Sequence, residues 1–129
     1  MIVIDSDVLI WLLRGNLDIT AKFKATVVES AGNVFVSPIQ IAEIYAGMLP
    51  KEKQKIEDFF SSLQTVKLDG NSGRLGGEFM SKYRKSHNVT LADALTAAVC
   101  RHNGHALWTM NKKHYPMLRA DEFYQPSIK

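Results

Sequence analysis

Short apolar runs separated by helical stretches recur along this chain and leave it few ways to fold. Ile2-Val3-Ile4, Val34-Phe35-Val36 and Ala106-Leu107-Trp108-Thr109 are rich in β-branched and aromatic residues and end at polar residues, the signature of short buried strands. Ser6 and Asp7 can cap a helix over Val8–Arg14 that Gly15 ends, and Asp18 or Thr20 opens another through about Ala31. The clearest boundary follows the second run. Ser37 is an N-cap, Pro38 suits the first helical position, and Gln40 completes a capping box for a helix to about Met48. Pro50 breaks the chain, and Lys51–Leu63 reads as a charged amphipathic helix. Thr65–Leu68 alternates like an edge strand, Asn71–Ser86 has helical spacing, and Thr90 caps a helix that ends near Gly104. Strand and helix therefore alternate, which predicts an α/β fold: a central parallel sheet of four to five short strands with helices on both faces. No repeat or linker interrupts it, so residues 1–129 read as one domain.

Composition narrows the class of function. With 46% hydrophobic and 22% charged residues the chain is globular rather than disordered. No apolar run approaches the roughly 18–20 residues of a membrane span, and Met1-Ile2-Val3-Ile4-Asp5 lacks the basic start of a secretory signal; a cytoplasmic location is the default. The single cysteine, Cys100, reads as a small buried hydrophobe. The net charge of +3 is weak evidence for nucleic acid alone. It is concentrated in Lys82, Arg84, Lys85 and His87, and in Lys112, Lys113 and His114. The glycines of the 70–77 stretch lack a following Gly-Lys-Ser/Thr and point to close helix packing rather than a phosphate cradle. His87, His102 and His105 read as surface or loop residues without zinc spacing.

Asp5, Glu43, Asp93 and Asn111 each stand where a strand gives way to a helix, or early in the helix that follows. In a parallel sheet such positions converge on one edge, where open α/β folds place their ligands. Gathered carboxylates repel, by roughly 4 kcal/mol for a pair about 4 Å apart at an effective dielectric near 20. They call for a cation, and oxygen-only ligands favour Mg²⁺, or Mn²⁺, over zinc. Asp7 reads as a structural cap and Asp5, nearest the strand end, as the ligand. A Glu43 beside a buried stripe needs a partner. Thr109 can donate a hydrogen bond to a neighbouring carboxylate.

Together, Ile4-Asp5-Ser6-Asp7-Val8-Leu9-Ile10, Ile41-Ala42-Glu43-Ile44-Tyr45-Ala46-Gly47, Leu91-Ala92-Asp93-Ala94-Leu95 and Thr109-Met110-Asn111-Lys112-Lys113-His114-Tyr115 closely resemble PIN-domain ribonucleases. Within them the set is similar to the VapC-type toxins of bacterial and archaeal toxin–antitoxin modules, from Ile2 to about Tyr115. The resemblance implies a PIN-like domain acting as an Mg²⁺-dependent endoribonuclease. The acidic ligands would be Asp5, Glu43 and Asp93, the fourth polar position Asn111, and the supporting hydroxyl residues Ser6 and Thr109. Asp5 and Asp93 would hold the metal directly, with Glu43 and Asn111 acting through water. Glu43 or Asp93 would orient a water for in-line attack, giving a 5′-phosphate and a 3′-hydroxyl. The fourth position is often Asp; an amide brings no charge, which argues against a firmly held second metal. Arg14, Lys112, Lys113 and His114 are the expected RNA contacts. The resemblance also implies a homodimer and a VapB-type antitoxin through which any DNA contact would pass. A haloacid-dehalogenase-like phosphatase is the enzymatic alternative, since Asp5-Ser6-Asp7 follows a strand as its nucleophile motif does. A catalytically silent PIN-fold binding module is the non-enzymatic one.

Overall fold

The computed structural model describes residues 1–127. Strands β1 (Ile2–Ile4), β2 (Val34–Val36), β3 (Gln64–Thr65) and β4 (Ala106–Trp108) form one parallel sheet in the order β3-β2-β1-β4. Between them lie α1 (Ser6–Leu13), α2 (Leu17–Glu29), α3 (Pro38–Gly47), α4 (Lys53–Ser61), α5 (Gly70–His87) and α6 (Leu91–Asn103). Side chains alternate across the strands as a two-residue period requires. Ile2, Ile4, Val34, Val36 and Trp108 pack with Val8 and Leu9 of α1, Ile44 of α3 and Ile56 of α4. Val3 and Leu107 face the other way, onto Phe79 of α5 and Ala94, Ala97 and Ala98 of α6. All three residues of β1 are buried, because it lies between two strands and two helical layers.

The strand order fixes where a ligand can sit. From β1 the chain steps outward to β2 and β3, then crosses the sheet to β4 on the other side of β1. The carboxyl ends of β1 and β4 therefore flank the point where the winding reverses, the place at which such sheets open a crevice. The register Ile4↔Trp108 puts Asp5 and Thr109 side by side just beyond it.

Several sequence expectations need correction in detail. The N-cap of α1 is Asp5 itself, its side chain accepting from the Ser6 amide, while Ser6 and Asp7 lie inside the first turn. Asn16, not Asp18 or Thr20, caps α2 by accepting from the Ile19 amide. The edge strand is Gln64–Thr65 rather than Thr65–Leu68, and a turn of 3-10 helix, Pro50–Glu52, precedes α4. Among the described residues the sheet has four strands, as the expected four to five allow, with one parallel bridge from Leu107 to Phe123 beyond β4. His105 is no surface residue: it is buried and stacks on Phe35 with ring centres 4.8 Å apart. Ser37, Pro38 and Gln40 form the expected capping box. Close packing explains one glycine of the 70–77 stretch: a Cβ on Gly76 would stand 2.7 Å from Leu95 Cδ2. Cys100 is buried, and burial pushes its thiol pKa up, keeping it protonated and inert. Among the described residues no helix is long and apolar enough to cross a membrane.

The segment after β4 is fastened by Arg101 of α6. Its Nε donates to Glu122 Oε2 at 3.0 Å, and Nη2 donates to Glu122 Oε1 at 2.7 Å and to the Met117 carbonyl at 2.6 Å. The hydrogen bond from Arg101 lowers the Glu122 pKa below its ordinary value. A carboxyl depressed in the folded state contributes stability above its unfolded pKa and loses it as pH falls through the folded one. Glu122→Gln is expected to cost about 1–2 kcal/mol near neutrality. Urea midpoints of the two proteins should converge below the usual glutamate range; a gap that widens in acid would refute the assignment.

Candidate active site

Asp5 is the centre of the cluster. Its amide donates to the Trp108 carbonyl at 2.9 Å, carrying the β1–β4 pairing one residue further. The residue is only 7% exposed, a placement an ionised group tolerates only when hydrogen bonds replace its water. Three do. Oδ1 accepts from the Ser6 amide at 2.8 Å, and Oδ2 accepts from the Thr109 hydroxyl at 2.9 Å and the Tyr115 hydroxyl at 2.7 Å.

The Tyr115 hydroxyl also lies 3.4 Å from Asp93 Oδ1, so one buried phenol links residues 5 and 93. Burial, and then the charge of Asp5, raise the Tyr115 pKa and keep it a donor. Asp93 occupies the first turn of α6, where its amide donates to the Thr90 hydroxyl at 3.2 Å. That cap satisfies the backbone and leaves the carboxylate facing the cluster. Asp93 Oδ2 is 3.7 Å from His114 Nδ1. Loss of solvent, and secondarily Asp5, push the Asp93 pKa up.

Glu43 approaches from α3. The residue is exposed while its neighbour Ile44 is buried, so it stands on the rim of the site and is not pressed against the apolar stripe as expected. Its Oε1 accepts from the Ser6 hydroxyl at 3.1 Å. Partial desolvation of the carboxyl raises its pKa, and Asp5, Asp93 and Asp7 add repulsion. The relation between α3 and α6 is set beneath the surface. Gln40, fully buried, accepts from the Ser37 amide at 2.9 Å and donates through Nε2 to Thr96 Oγ1 at 2.9 Å. One amide thus ties the helix bearing Glu43 to the helix bearing Asp93.

Asp7 is used structurally. Its Oδ1 accepts from the Val8 amide at 2.7 Å and its Oδ2 from the Met110 amide at 3.0 Å, tying α1 to the loop after β4. Burial and Asp5 raise its pKa.

Asn111 is exposed and stands one step out. Its main-chain amide donates to Thr109 Oγ1 at 3.1 Å, and its side chain hydrogen-bonds His114 Nε2 at 3.0 Å. It therefore reaches the carboxylates through Thr109 and His114, not by direct contact. Lys112 and Lys113 follow on an exposed 3-10 turn, Lys112–His114. Arg14 lies at the end of α1, 5.7 Å over the Trp11 ring, and lines a hollow of about 260 Å³ with Glu43, Ile10 and Met48. A second hollow of about 450 Å³ opens across the β4 loop, bounded by Thr109, Asn111 and the two lysines.

The Tyr115 hydroxyl and the link from Gln40 to Thr96 are the contributions the sequence does not announce. Among the described residues no three Asp, Glu, His or Cys side chains converge into a ready-made metal cage. The carboxylates are joined two at a time, Asp5 to Asp93 through Tyr115 and Asp5 to Glu43 through adjacent Ser6. This donor set is all oxygen. It fits Mg²⁺, which keeps several of its waters and takes only one or two carboxylates directly.

The PIN domain family matches residues 2–117. Ribonuclease VapC10 of Mycobacterium tuberculosis is 33% identical over 118 residues, which are 91% of this chain and 87% of that protein. Among solved structures, DNA-bound VapBC from Salmonella typhimurium superposes with a TM-score of 0.76 at 18% identity, covering 95% of this chain and 93% of that one. A toxin–antitoxin complex from Klebsiella pneumoniae gives 0.74 at 18% identity and covers 98% of both chains. VapBC2 from Rickettsia felis, bound to a promoter DNA fragment, gives 0.75 at 17%, with 95% and 96% covered.

Proposed function

From the fact that this chain belongs to the PIN-domain family, among its VapC ribonucleases, we propose that it is a divalent-metal-dependent endoribonuclease and the toxin of a toxin–antitoxin module. The observation that carries the reading is the Tyr115 hydroxyl shared by Asp5 and Asp93, which gathers two acidic groups from distant stretches at the sheet's reversal point. The phosphatase alternative falls with the family assignment.

Asp5 and Asp93 would hold Mg²⁺ or Mn²⁺, with Glu43 reaching it through water. The cation, when bound, supplies a Lewis acid at the scissile phosphate and offsets the charge that builds there. Glu43 orients the attacking water and takes its proton; its raised pKa moves it toward the range useful to a general base. The water oxygen bonds to phosphorus, the bond to the 3′-oxygen breaks, and that oxygen leaves with a proton from solvent. Thr109 and Tyr115 hold the Asp5 carboxylate through Oδ2, which leaves Oδ1, bonded only to the Ser6 amide, as an acceptor site for the cation. The Ser6 hydroxyl holds Glu43 through Oε1.

The test is cleavage of an end-labelled single-stranded RNA. Mg²⁺ or Mn²⁺ should support it, chelator should stop it, and the products should carry 5′-phosphate and 3′-hydroxyl ends. Cleavage in chelator, or 2′,3′-cyclic ends, would overturn the proposal. Tyr115→Phe should lower the rate by about 10- to 100-fold, the usual effect of losing a group that orients a metal ligand. An unchanged rate would mean that the hydroxyl orients nothing.

The chain is proposed to act as a homodimer and to be silenced by a VapB-type antitoxin that carries any DNA contact. The hollow between α1 and α3 supports the antitoxin. Ile10, Leu13, Ile44 and Met48 offer it apolar surface, and Arg14 and Glu43 stand at the same hollow. An extended segment laid there could reach the carboxylates with a basic side chain.

A further inference from the structure

The match to the PIN domain family ends at residue 117, and the chain beyond it is fastened along the sheet. After the turn Ala120–Glu122, Phe123 forms a parallel bridge with Leu107, and the Tyr124 amide donates to the Leu107 carbonyl at 2.7 Å. The segment lies beside β4 as a fifth strand would, and its side chains alternate accordingly. Phe123 packs with the core under α5 and α6, and Tyr124 with the core under α1 to α4. Each face is pinned. Arg101 of α6 holds Glu122. On the other face the Tyr124 hydroxyl lies 2.9 Å from the Thr26 hydroxyl and donates to Glu29 Oε2 at 3.2 Å, and the Ser127 hydroxyl donates to Glu29 Oε1.

What this strap brings to the carboxylates is the ring of Phe123. Its centre is 6.5 Å from that of Tyr115, with the planes at 71°, the edge-to-face arrangement that aromatic pairs favour. Lys112 Nζ lies 5.4 Å over the same ring, so Phe123 supports both ends of the segment from Lys112 to Tyr115. Tyr115 needs that support. Its hydroxyl is 2.7 Å from Asp5 Oδ2 and 3.4 Å from Asp93 Oδ1, two carboxyl groups that repel each other. Repelling groups are poor guides to where the phenol stands, so packing around its ring must set it. Among the described residues, Phe123 is the aromatic ring that meets it.

We propose that Phe123 is a positioning residue of the active site: the strap Arg119–Ser127 holds the Tyr115 ring, and so its shared hydroxyl, between Asp5 and Asp93. The inference rests on the reading above of those carboxylates as a cation site. It extends the working parts of that site to a segment beyond the family match, which touches neither the cation nor the substrate and acts only through Tyr115.

The experiment is calorimetric titration of Mn²⁺ into the whole metal-free protein, with urea midpoints recorded alongside. Phe123→Leu keeps an apolar side chain and removes the ring. It should weaken Mn²⁺ binding by at least about threefold, short of the roughly 10- to 100-fold usual for the group that orients a ligand directly. In the Tyr115→Phe background the same substitution should change Mn²⁺ affinity no further, because two residues acting through one hydroxyl are not additive. Phe59→Leu removes a ring of α4 that packs 5.9 Å from Phe23; it should lower the urea midpoint and leave Mn²⁺ affinity unchanged. Wild-type affinity in Phe123→Leu, an equal loss in Phe59→Leu, or a loss that persists undiminished in the Tyr115→Phe background would overturn the proposal. RNA is absent from the titration, so failure of the ribonuclease reading would appear in the product assay and not here.

Discussion

Asp5→Asn is expected to lower RNA cleavage by about 100- to 1,000-fold or more while leaving the protein folded. Asparagine is as good an N-cap as aspartate, so α1 should begin where it does now, with the side-chain oxygen still accepting from the Ser6 amide. What changes is charge and acceptor capacity. The carboxylate takes bonds from Ser6, Thr109 and Tyr115 at 2.8, 2.9 and 2.7 Å. An amide has one oxygen and turns an NH₂ toward the remaining donors. Removing the negative charge also relieves Glu43, Asp7 and Asp93, whose pKa values Asp5 helps to raise. The metal-free variant should therefore be no less stable than wild type while being inactive, a trade that catalytic carboxylates commonly show. The measurements are the cleavage rate with Mg²⁺ and the urea midpoint. A rate above about a tenth of wild type would remove Asp5 from the chemistry.

Gln40→Ala should destabilise the fold by about 3–5 kcal/mol, the sum of stranded polar groups and a new cavity. Gln40 is fully buried and serves three groups: the Ser37 amide at 2.9 Å, the Ser37 hydroxyl at 2.6 Å and the Thr96 hydroxyl at 2.9 Å. Truncation strands buried polar atoms at roughly 1–3 kcal/mol each, reduced where one rebonds locally. Thr96 has such an escape, because its hydroxyl already donates to the Ala92 carbonyl at 2.9 Å; the Ser37 amide has none. The loss should appear as a lower urea midpoint with the slope preserved. It should also reach activity, since this amide sets α3, and so Glu43, against α6, and so Asp93. A cost below about 1 kcal/mol would mean that the link between the helices lies elsewhere.

How much of this is legible in the sequence follows from the range of the interactions. Ser37, Pro38 and Gln40 announce a helix start because a capping box closes within four residues, and the structure has it. The alternation of strands and helices announces a parallel sheet because each run must bury its faces near its sequence neighbours. Asp5, Glu43 and Asp93 can be singled out because each stands at a strand end or early in the helix that follows, where a parallel sheet gathers its ligands. The cap of α1 escapes sequence reading for a different reason. Asp5, Ser6 and Asp7 are equally good caps by type, and only the β1–β4 pairing, which holds Asp5 extended, decides among them. Tyr115 gives no signal because nothing around it is periodic, and its role exists only across the 110 residues that separate it from Asp5. His105 looks like a loop residue, yet the sheet carries it onto Phe35 of a strand far away in sequence. What stays hidden is long-range and made of single hydroxyls or rings.

The most direct measurement is a calorimetric titration of Mn²⁺ into the metal-free protein and into Asp5→Asn. Saturable binding by the wild type that Asp5→Asn weakens by at least about tenfold is the expected result. Equal binding by the two proteins, or none by the wild type, would contradict a cation held between Asp5 and Asp93.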